Sequence, residues 1–142
     1  MSWRTLGSSL DGSARRLARV RLLVDGMNVI GTRPDGWWRD RDAAMARLVD
    51  RLERWSAHTG DDITVVFERK PRPPLKSTVI EIAHAPKPGR DAGDFEIARR
   101  VEADPSPASI HVVTSDRWLA DRVSQAGAVV QGAESFRSRL EP

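Results

Sequence analysis

Apolar residues along this chain fall into two kinds of run that take turns from one end to the other. Leu22, Leu23 and Val24 are contiguous, which suits a strand covered on both faces in a parallel sheet. Residues 63–67 are equally short and rich in β-branched side chains. Met45, Leu48, Val49, Leu52 and Trp55 instead recur at helical spacing, with Arg and Asp filling the other face. These patterns predict strands near 19–24, 63–67, 78–83, 109–113 and 128–130. They predict helices over 39–57, from Asp91 onward, after Asp116, and from about Ala133. The helix from Asp91 is expected to turn Phe95, Ala98 and Val101 toward the core, with Ile97 on its flank. The next helix carries Trp118, Leu119, Val123 and Ala126 and is closed by Gly127. Strands alternating with helices imply an α/β fold with a mostly parallel sheet of about five strands and right-handed crossovers.

The connections carry their own signals. Residues 32–38 hold a Pro-Asp-Gly turn, and the Pro-rich stretch 69–76 cannot be a helix interior. Residues 1–19, rich in Gly, Ser and Arg, read as a tail or a short appended helix before a single domain at 20–142. There is no internal repeat.

With 39% hydrophobic and 30% charged residues, the composition is that of a globular chain rather than a disordered one. No apolar run reaches membrane-spanning length, and 1–19 lacks the apolar centre of a secretory signal, so a cytoplasmic protein is expected. The absence of cysteine excludes disulfides, thiolate metal sites and a cysteine nucleophile. The net charge of +3 matters less than its placement. Arg69, Lys70, Arg72, Lys76, Lys87 and Arg90 lie between Phe67 and Asp91, where only Glu68 and Glu81 oppose them. Such a patch suits phosphates, although a merely soluble surface would read the same way.

The candidate chemistry lies at the strand ends. Asp25-Gly26 stops the first strand, and a carboxylate at the carboxyl end of such a strand opens into the crevice where open α/β sheets bind ligands. Asp116 stands where the fourth strand becomes a helix. If strands one and four are neighbours, Asp25 and Asp116 meet across that crevice. Asp91 and Asp94, three apart, share a face of the first turn of the helix that leads into strand four. Capping explains one of the two well and both less comfortably. Three or four carboxylates pressed together repel, and a divalent cation is the usual remedy. Oxygen-only ligation favours Mg²⁺ or Mn²⁺.

Asp25, Asp94 and Asp116 are thus expected metal ligands, with Asp91 as a fourth carboxylate. Asn28 would orient water or a phosphate oxygen. Thr114 and Ser115 are candidate phosphate contacts at a helix start, with helix capping an equal alternative for Ser115. Arg69, Lys70, Arg72 and Arg90 are candidate backbone contacts to a nucleic acid. Trp37 and Trp38 invite a base-stacking reading but fit packing better. His84 is read as neither ligand nor proton shuttle.

Leu-Leu-Val-Asp-Gly-Met-Asn-Val-Ile-Gly, Val-Val-Phe-Glu, Asp-Ala-Gly-Asp-Phe-Glu-Ile and Val-Val-Thr-Ser-Asp-Arg, in that order, resemble the motifs of the NYN domain. The similarity is to its YacP-like branch within the PIN-like ribonucleases. It implies a PIN-like three-layer α/β/α sandwich and metal-dependent, endonucleolytic RNA cleavage, with Asp25, Asp94 and Asp116 at the acidic positions. Two residues depart from the pattern. Glu68 stands where Asp is common and is carried as an outer-shell residue, and Gly93 stands where Ala is usual.

Rival readings remain at this level. A non-catalytic RNA-binding domain would keep the same fold and basic loop. A haloacid-dehalogenase-like phosphatase needs an acid two positions after the strand-end Asp, and Met27 occupies that place. A dinucleotide site lacks its Gly-x-Gly-x-x-Gly. RNA is the expected partner, no membrane is, and a homodimer or ribonucleoprotein partner is compatible with the sequence.

Overall fold

The computed structural model describes residues 20–141, so the expected tail at 1–19 lies outside the described residues. The elements are β1 (Arg21–Asp25), α1 (Gly26–Ile30), α2 (Arg41–Thr59), β2 (Asp62–Phe67), β3 (Glu81–His84), α3 (Ala92–Ala103), β4 (Ile110–Val113), α4 (Arg117–Gln125), β5 (Val129–Gln131) and α5 (Ala133–Leu140). Short 3-10 turns at Trp37–Arg39 and Pro107–Ser109 precede α2 and β4.

The strands form one sheet in the order β3-β2-β1-β4-β5, and every pair is parallel. Alternation within each strand divides the core in two. Leu22, Val24, Ile63, Val65, Phe67 and Val113 face one layer with Val29, Leu48, Leu52 and Phe136, which come from α1, α2 and α5. Leu23, Val66, Ile110 and Val112 face the other with Ile97, Val101, Leu119 and Val123 from α3 and α4. The result is a three-layer α/β/α sandwich. Because β1 is flanked by β2 and β4, strand order reverses at β1 and β4, and a crevice opens at their carboxyl ends. Among the described residues, no helix is long and apolar enough to cross a membrane.

The residues after Asp25 form the short helix α1, which the apolar pattern did not signal. Three local expectations need correction. The third strand is shorter than 78–83, because the Ser77 Oγ accepts the backbone N–H groups of Val79 and Ile80 and holds a turn there. Phe95 is 60% exposed rather than in the core, while Gly93, Glu96, Ile97, Ala98 and Val101 form the buried side of α3. Trp118 is also turned outward, leaving Leu119 and Val123 to anchor α4.

Gly26 is required by close approach. A Cβ there would lie 2.5 Å from Cε1 of Phe67, a fully buried ring, and 3.1 Å from the Val66 carbonyl. Gly26→Ala is therefore expected to destabilise the fold by about 1–3 kcal/mol. The check is a urea titration, in which the midpoint should fall with little change in slope.

Arg137 on α5 is almost fully buried. Its guanidinium donates to the carbonyls of Ile30 at 2.9 Å and Val29 at 3.3 Å, and to Asp35 at 3.0 Å. A cation at the carboxyl end of α1 satisfies acceptors that the helix leaves open.

Candidate functional site

The switch in strand order places β1 and β4 side by side, and each delivers a carboxylate to the same rim. Asp25 ends β1 and is 5% exposed, while Asp116 begins α4 just after β4. Gly93 is buried at the amino end of α3, on the side that faces Phe67 and Glu68 at the end of β2. The helix rotation that buries Gly93 and Ile97 also turns Asp94 inward. An alanine at 93 would meet nothing closer than 3.7 Å, so the departure from the usual residue does not disturb this end of α3.

Asp25, Asp94, Asp116, Asp91 and Asn28 all line one cavity of about 620 Å³. Glu68 lines it as well. Arg41, Arg69 and Arg90 stand around the acids, with Met27 and Trp37. Lys70 and Arg72 do not reach this cavity; they stay exposed on the adjoining loop. Arg69 is held in a two-pronged ion pair with Asp42, at 2.8 and 3.2 Å. Arg41, whose guanidinium lies 5.1 Å from the Trp37 ring centroid, was not anticipated from the sequence. Nothing in its setting at a helix start distinguishes it from an ordinary surface arginine.

A hydrogen-bonded chain fixes the acids. The Asp116 N–H donates to the Thr114 hydroxyl at 3.1 Å, and that hydroxyl donates to Asp25 Oδ2 at 2.8 Å. Thr114 is thus buried behind Asp25 rather than facing a phosphate, which corrects its expected role. Ser115 is also committed elsewhere. Its N–H donates to Asn28 Oδ1 at 2.7 Å, and its Oγ accepts the Ala133 N–H at 2.9 Å, at the start of α5. Capping of α4 falls to Asp116, whose Oδ1 accepts the Leu119 N–H at 2.8 Å. Asp116 therefore keeps its other oxygen for the cavity. Asn28, with its carbonyl oxygen engaged, keeps its NH₂ as a donor. Asp91 makes no capping bond and sits at φ 62°.

Electrostatically the site is crowded. Burial, the largest cause, pushes the Asp25 carboxyl up to about 7, assisted by the charges of Asp94 and Asp116 and opposed by the Thr114 hydrogen bond. Burial also raises Asp94, to about 6, with Asp116, Asp91 and Glu68 adding repulsion. Asp25 and Asp94 are close enough for the charge of Asp94 to raise Asp25 further. Among the described residues, no group of three or more acidic or histidine side chains is arranged to hold a metal ion as it stands. Even so, the donor chemistry fits a hard divalent ion. All donors are oxygens, they are concentrated on one rim, and a cation would offset their mutual repulsion.

Comparison with known proteins agrees with this architecture. Residues 22–142 match the family model described as a YacP-like NYN domain. Two UPF0178 proteins of Xanthomonas oryzae pv. oryzae, from strains PXO99A and MAFF 311018, are each 38% identical over 110 residues. The alignment takes in 75% of this chain, which spans 63% of the length of those curated relatives. A crystal structure of a single-substitution mutant of Rae1 (YacP) from Bacillus subtilis superposes with a TM-score of 0.69 at 27% identity. It covers 86% of this chain and 75% of that one. A second crystal structure of Rae1 (YacP) gives 0.68 at 23% identity, over 85% and 73% of the two chains, and shares the fold.

Proposed function

The chain belongs to the YacP-like NYN domain family, and from that premise we propose that it is a metal-dependent endoribonuclease that hydrolyses RNA phosphodiester bonds. The observation that carries the proposal is the meeting of Asp25, Asp94 and Asp116, from three separate segments, in one cavity walled by arginines.

Asp25, Asp94 and Asp116 would hold Mg²⁺ or Mn²⁺, with Asp91 as a further carboxylate. A bound divalent ion supplies Lewis acidity at the phosphoryl oxygen and lowers the pKa of water. The chain's own residues do the rest. Thr114 holds Asp25 in one orientation, and Asn28 offers an N–H donor to a phosphate oxygen or to the attacking water. Arg41 and Arg90, with Arg69 held by Asp42, attract the backbone of the strand without reading its bases.

Purified protein should cut single-stranded RNA internally when Mg²⁺ or Mn²⁺ is present and stop when EDTA is added. Gel analysis of end-labelled RNA would show this directly. Binding without cleavage under either metal would overturn the nuclease reading in favour of a non-catalytic RNA-binding domain.

A further inference from the structure

Two large aromatic side chains stand out of the protein next to the acids. Phe95 follows Asp94 and is 60% exposed, and Trp118, two residues after Asp116, is 43% exposed. Their rings meet edge to face with centroids 5.2 Å apart, bridging the amino ends of α3 and α4. Arg122 lies over the Trp118 ring at 5.4 Å and is itself tied to Glu102 at 2.6 Å, so the indole is braced from one side. Neither ring lines the acidic cavity, but each stands one or two residues along the chain from a carboxylate that does, on the first turn of its helix. The arginines Arg41, Arg69 and Arg90 come from α2 and from the segments after β2 and β3.

From this arrangement we infer that Phe95 and Trp118 form a stacking platform for unpaired nucleobases of the RNA strand whose backbone crosses Asp25, Asp94 and Asp116. The inference rests on the RNA-cleaving reading of that cavity and adds the substrate class: single-stranded RNA, engaged through its bases on this side of the acids. Adjacent residues along a chain are about 3.8 Å apart, so the rings begin within a nucleotide's reach of the carboxylates. Aromatic faces accept any base, and braced rings lose little freedom on stacking.

A second copy of this chain fits the pair less well. A fully buried Phe or Trp covers about 150–250 Å², so the exposed parts of these two offer roughly 200 Å². A stable interface needs about 800 Å² per partner. Trp37 is a weaker candidate platform, because it packs against the core and already carries Arg41 on its ring.

The test combines variants of the full chain with abasic substitutions in a short oligoadenylate. Binding is measured by fluorescence anisotropy with Ca²⁺ in place of the catalytic metal, and cleavage with Mn²⁺. Phe95→Ala and Trp118→Ala should each weaken binding about tenfold and raise KM accordingly, with kcat at saturating RNA little changed. Trp118→Phe should restore most of the loss. In wild type, removing the base at one or two positions beside the cleaved bond should cost a similar factor, and in Trp118→Ala the same removal should cost nothing further. Wild-type cleavage that is indifferent to both the alanine variants and the missing bases would overturn the platform while leaving the nuclease reading intact. Wild type that neither binds nor cuts the oligomer would overturn both. Alanine variants that change only the oligomeric state, read by light scattering, would assign the rings to a second copy and overturn the inference. Because both side chains are solvent-facing, thermal melts of the variants should match wild type.

Discussion

Asp94→Asn is expected to lower metal-dependent RNA cleavage by about a thousandfold while leaving RNA binding nearly unchanged. The amide keeps the shape of the carboxylate and can still hydrogen-bond Asp25, so the amino end of α3 should stay in place. What disappears is the negative charge that would share in holding the cation. The same change should make the protein more stable when a chelator is present, because Asp94 sits among Asp25, Asp116, Asp91 and Glu68 and repulsion is already raising its pKa. A residue retained at a cost to stability is what a functional site predicts. The paired measurement is a cleavage time course beside a thermal melt. Near-normal cleavage by the variant would remove Asp94 from the ligand set, and a lower melting temperature would show that its role is structural.

Stability of the protein in EDTA should fall as pH rises from about 4 to about 7, by a few kcal/mol in all. The sign follows from Asp25 and Asp94, whose folded-state pKa values, about 7 and about 6, lie above their ordinary value of 3.8. Between those limits the folded chain binds more protons than the unfolded one, so deprotonation favours unfolding. The penalty is absent well below pH 4 and complete once pH has passed about 7. Mn²⁺ should act in the opposite direction. Its ligands must be ionised, so the rise in melting temperature that it produces should be larger at about pH 8 than at about pH 5.5. Asp25→Asn should flatten both trends. A flat profile in the wild type, or an unchanged one in the variant, would mean that these carboxyls do not govern the pH response.

Much of this centre was legible because its information is local. A short apolar run ending in Asp marks a buried strand opening onto a rim, and this reading placed both Asp25 and Asp116 correctly at the ends of their strands. The adjacency of β1 and β4 required only the crossover rule and the reversal of strand order. The rotation of α3 was not legible. Spacing alone made Phe95, Ala98 and Val101 an apolar stripe, whereas in the structure Gly93 and Ile97 are buried, Glu96 is buried under Arg99 and Arg100, and Phe95 faces out. Thr114 and Ser115 were readable as residues with hydrogen-bonding hydroxyls, but their partners, Asp25 and the start of α5, are distant in sequence. Arg137 left no signal at all, since a buried arginine in a terminal helix looks like any other until its carbonyl partners are known.

That arginine has a consequence for the order of events during synthesis. Asn28 emerges from the ribosome well before α5, on a helix of a single turn that has little stability of its own. The guanidinium that closes its far end, and the backbone amide of Ala133 that Ser115 receives, are made more than a hundred residues later. A nascent chain can therefore pair its first strands and still lack a competent centre. The acidic centre is complete only once α5 has docked against α1 and against the segment that follows β4.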